Sequence, residues 1–128
     1  MRQLHAILAI LFLGAVLGAC GGDPLKPAVE AIKASDWAKA EATLDAVVLD
    51  KPDLKAAHAL RLVLFRHLMV NGPQDKHDAY VGKAVIEYDA LVKALGLKPD
   101  YADMEASLRG NPEGAALLAA ARKPLYGN

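Results

Sequence analysis

The chain holds one thiol, Cys20, placed directly after an apolar run and the small residues Gly18 and Ala19. A thiolate is the strongest nucleophile among the side chains, so the chemistry open to Cys20 is covalent modification at sulfur. No second cysteine exists to form an intrachain disulfide. The remaining reactive side chains do not assemble into a catalytic pattern. His58 and His67 are nine residues apart, not the four that place two histidines on one helix face for a metal. His77 and Asp78 are adjacent and point in different directions on a helix. Asp100, Asp103 and Glu105 cluster where acids suit a helix N-terminus, without the glycine and ligand spacing of a calcium loop. Ser35 and Ser107, the only serines, sit at helix ends, and no glycine-rich phosphate loop or nucleophile elbow is present. The expectation is a chain that is not an enzyme and needs no metal or dissociable cofactor.

Cys20 closes the tetrapeptide Leu17-Gly18-Ala19-Cys20, preceded by eleven apolar residues from Ala6 to Val16, with Arg2 the only formal charge before Asp23. A membrane-spanning helix needs roughly 20 apolar residues, so this run suits the core of a secretory signal instead. The tetrapeptide resembles the lipobox of bacterial lipoproteins. That resemblance implies cleavage before Cys20, diacylglycerol on its sulfur and an acyl chain on its new amine. It also implies a mature chain of 109 residues (128 less the 19 removed). Gly21 stands where enteric bacteria commonly place Asp to retain lipoproteins at the inner membrane, so the resemblance points to the outer membrane, facing the periplasm. Residues 1–19 then read as signal peptide, 20–24 as lipidated tether, and 25–128 as one domain.

That domain reads as all-α. Alanine is the commonest residue, at 25 positions, and no alternating strand pattern occurs. A short segment from Leu25 to Ala34 is followed by Ser35 or Asp36 as cap, then Trp37, Ala40, Leu44, Val47 and Val48 at helical spacing up to Asp50. From Leu54 to Val70 apolar residues form two rows, which predicts a helix central to its bundle. Asn71-Gly72-Pro73 turns the chain into Asp75–Leu95, whose stripe is read as Val81, Ala84/Val85, Tyr88, Leu91/Val92 and Leu95, with Gly96 as a left-handed end. Asp100 is expected to cap a short helix with Tyr101, Met104 and Leu108. Asn111-Pro112-Glu113 starts the last helix.

Ala40, Leu44, Val47 and Pro52 resemble the second helix of a tetratricopeptide repeat: a small contact residue, a groove-filling leucine and a terminating proline. The match covers about residues 25–60 and departs from the family at Pro27, Ala28 and Ala31. Pro52 and a second match at Pro99 are 47 apart, against a repeat period of about 34. Two architectures stay open, a helix-pair array and an up-and-down bundle of five to six helices.

Lys plus Arg and Asp plus Glu both number 15, and aromatics are 5%. That balance argues against a nucleic-acid partner, which calls for a basic face or stacking aromatics. The expected role is a non-catalytic protein-interaction or assembly module of the cell envelope, with Trp37, Tyr80 and Tyr101 as candidate partner-binding residues. The alternative is a carrier of a small apolar ligand, resembling the T-component lipoproteins of TRAP transporters, with the helix from Leu54 to Val70 lining the cavity.

Overall fold

The structure, a computed structural model, describes residues 22–127. Cys20 and the apolar run before it lie outside these residues. Six α-helices follow in order: α1 Lys26–Lys33, α2 Trp37–Asp50, α3 Lys55–Asn71, α4 His77–Leu95, α5 Met104–Arg109 and α6 Pro112–Tyr126. A single 3-10 turn, Gln74–Lys76, leads into α4, and there is no strand among the described residues. The chain is all-α, as its composition and spacing predict.

Local chemistry sets most helix ends. Proline in the first turn of α1 and of α6 costs no hydrogen bond, because those N–H groups have no partner within the helix. Between α1 and α2, Asp36 N donates to Ala31 O at 2.8 Å and Ser35 N to Ile32 O at 2.9 Å. This is the Schellman arrangement, and it holds Ser35 at a left-handed φ of 56°. Asp36 then caps α2, its side chain accepting from Lys39 N at 3.2 Å. Gly96 ends α4 with φ 66°, as expected.

Two expectations need correction. The short helix is capped by Asp103, which accepts from Ala106 N at 3.1 Å, and Tyr101 lies outside it. Asp100 instead accepts from Ala102 N at 3.1 Å, while its own N–H donates to the Tyr88 hydroxyl at 2.7 Å. On α4 the buried stripe is Tyr80, Ala84, Glu87, Tyr88, Leu91 and Val92, and Val81 lies outside it, 37% exposed. The large ring of Tyr80 takes the inward place at that edge of the stripe.

Helix α3 is the axis. Nine of its residues are buried, including the consecutive sets Ala57–Leu60 and Leu62–Phe65, so no face of it is left to solvent along this stretch. It packs most extensively against α4 and next against α6. The hairpin α1–α2 contributes Ala28, Ala31, Ile32, Ala40 and Leu44 to the same core. Helix α6 returns across the fold to contact α1 as well as α3, α4 and α5. Elements distant in sequence therefore close on one another, and one hydrophobic core runs through all six helices. The corner between α5 and α6 is tight: a Cβ on Gly114 would sit 2.3 Å from Leu108 O.

Thermal and chemical unfolding should separate two substitutions made at these corners. Ser35→Gly, which relieves a left-handed non-glycine residue, should stabilise the domain by about 1 kcal/mol. Gly114→Ala, which forces α6 away from the α5 backbone, should destabilise it by about 2 kcal/mol or more. Equal stabilities for these two variants would contradict the packing described.

Candidate functional site

The three aromatics expected to meet a partner are not brought together. Trp37 is half-buried at the start of α2, its ring centroid 5.1 Å from that of His67 on α3. Tyr80 is a correction. It is 8% exposed and its ring lies over Phe65 at 6.2 Å, so it belongs to the core and offers a partner almost nothing. Tyr101 is 56% exposed, but its hydroxyl donates to Asp89 at 2.7 Å and its ring meets the edge of Tyr88 at 5.6 Å. The hydrogen bond to the Asp89 carboxylate holds the Tyr101 proton, raising its pKa above the ordinary tyrosine value. Tyr126, which spacing could not place, joins the Trp37 side. Its hydroxyl shares a hydrogen bond with His67 Nδ1 at 3.1 Å and its ring stands edge-on to the imidazole.

Two buried carboxylates organise the charged side chains. Glu87 on α4, 2% exposed, accepts from Arg61 Nε at 2.8 Å and pairs with His58 Nδ1 at 3.1 Å. His58 Nε2 donates to the Pro52 carbonyl at 2.6 Å. Arg61 also reaches Asp45 on α2, so the group ties α2, α3 and α4 together. The sequence signal for it is the pair His58 and Arg61, three apart among the apolar rows of α3.

Glu105 on α5, 8% exposed, is the second. Its Oε2 takes Arg66 Nε at 3.2 Å, and its Oε1 takes Arg109 Nη2 at 3.1 Å and Arg122 Nη1 at 3.3 Å. One negative charge thus gathers three guanidinium groups from α3, α5 and α6, leaving positive charge in excess. The excess faces an open groove of about 710 Å³ between α5 and α6. Its floor is Ala115, Leu118 and Ala119, and its rim is Arg109, Arg122 and Lys123. An apolar floor with a cationic rim suits an amphipathic acidic segment. None of these groove residues was singled out from the sequence, because the rim is assembled by a contact between helices.

A second, smaller groove of about 270 Å³ lies where the described chain begins. Asp23 and Leu25 sit at its edge, and Val29 of α1, Leu60 of α3, and Leu117 and Ala120 of α6 are among its walls. No group of three or more potential metal ligands occurs among the described residues. No helix among them is long and apolar enough to cross a membrane. The chain matches no known protein family, no curated protein and no solved structure.

The pH response should be carried in part by His67. Burial withholds water from its imidazolium and lowers its pKa below the ordinary 6.5. The unfolded chain then binds the proton first as pH falls, so this contribution to stability is complete above about 6.5. It is lost as pH drops through that value toward the lower native one. Urea midpoints between pH 8 and 5 should fall more steeply for the wild type than for His67→Gln. The two carboxylates should also differ. Glu87→Ala, which leaves the largely buried Arg61 only the exposed carboxylate of Asp45, should cost about 3–5 kcal/mol. Glu105→Ala, whose arginines are a third to a half exposed, should cost roughly 1–3 kcal/mol.

Proposed function

We propose that this chain is a lipid-anchored, periplasm-facing envelope protein that works without catalysis, holding a protein partner close to the outer membrane. The observation that carries the reading is the sole cysteine at the end of Leu17-Gly18-Ala19-Cys20, behind an apolar run too short to span a bilayer. Two acyl chains or more give stable anchoring, and diacylglycerol with an amide-linked chain supplies three. The groove between α5 and α6 is the surface best suited to the partner, which by charge complementarity is an acidic amphipathic segment. The carrier alternative draws less support, because α3 is buried against α4 and α6 and lends only Ala56 and Leu60 to a small open groove.

Radiolabelled palmitate should enter the wild-type chain and not Cys20→Ser, and the variant should leave the membrane fraction. Failure of the label to enter would overturn the anchoring. For the partner, crosslinking in cells should capture a neighbour whose yield drops sharply in Lys123→Glu, an exposed rim substitution expected to cost about 1 kcal/mol or less of stability. Capture insensitive to that charge reversal would remove the groove from the interface.

A further inference from the structure

The apolar groove at the start of the described chain has a natural occupant in the part of the molecule that precedes it. Among the described residues Asp23 is the only polar side chain bordering it, and the rest of its lining is aliphatic, from Leu25, Val29 and Leu60 to Leu117, Ala120 and Pro124. Ala120 is exposed at this edge, so the groove is open to whatever arrives from the tether. The chain also enters in a fixed manner. Asp23 Oδ1 accepts from Leu25 N at 2.9 Å and Asp23 O from Lys26 N at 3.1 Å, a turn that sets the tether's exit at the groove rim. Cys20 is three residues before Asp23, and three extended residues span at most about 11 Å. Any chain attached to Cys20 is therefore tethered within reach of this opening.

We propose that the groove between α1, α3 and α6 seats one of the acyl chains borne by Cys20. The inference rests on the lipoprotein reading above. Acyl methylenes match the aliphatic lining, which would otherwise face water. The two chains left over suffice to keep the protein on the leaflet. The seated chain then fixes the α1–α6 face toward the membrane, so the domain is oriented by its own anchor.

The test is photo-crosslinking of the complete processed protein. Cells are fed a palmitate analogue carrying a diazirine in its chain and are irradiated, and the purified protein is mapped by mass spectrometry. The expected result is lipid adducts concentrated on α1 and α6 peptides of the same chain, at Val29, Leu117 and Ala120. Ala120→Phe, which fills the groove from its exposed edge, should lower these adducts at least fivefold while the intact mass still shows an acylated Cys20. Acylated protein whose adducts form only with bulk phospholipid, join two copies, or spread evenly over all helices would overturn the proposal and leave the anchoring intact. A chain that never acquires the label would overturn the lipoprotein reading and this proposal together.

Discussion

Helix α3 carries apolar side chains around its whole circumference, and water must be kept from every side of it. That requirement dictates the architecture. Helix α4 covers one side and α6 another, while the hairpin α1–α2 fills the space that remains. Helix α6 can reach α3 only because Gly114 lets its first turn close on the α5 backbone. The fold is held by apolar enclosure, with no disulfide and no metal group among the described residues contributing to it.

The two buried carboxylates are best understood as consequences of that enclosure. An axial helix of 17 residues has to carry some polar side chains, and those of α3 include His58, Arg61 and Arg66. Each that lies near the core needs an anion from a covering helix. Glu87 on α4 serves His58 and Arg61, and Glu105 on α5 serves Arg66. Buried ion pairs of this kind add little net stability, yet breaking one is costly, so they favour the register in which the charges meet. At Glu105 the balance is not closed. Arg109 and Arg122 come to the same carboxylate, and the surplus charge becomes a property of the surface.

Helix number, order and the central place of α3 were legible in the sequence because they follow from apolar spacing and capping residues, which are local. The failures fall where a distant residue decides. Asp100 and Asp103 are equally good caps by composition. The Tyr88 hydroxyl captures the Asp100 N–H and so leaves the capping to Asp103. Tyr80 and Val81 are neighbours at one edge of a stripe, and the ring of Phe65 across the interface draws Tyr80 inward. Glu87 carries no local signal of its burial, since its partners lie 26 and 29 residues away on α3. Cys20 stands out by the four-residue pattern it closes and lies outside the described residues, whereas the basic rim of the α5–α6 groove forms only when Arg109 of α5 meets Arg122 and Lys123 of α6.

The tether's turn at Asp23 and the last turn of α6 at Pro124 border the same groove. The entry into α1 and the last turn of α6 thus share one face of the domain. A fluorescent protein or affinity handle added after Asn128 would crowd that face, and one inserted at the Gly72-Pro73 bend would not.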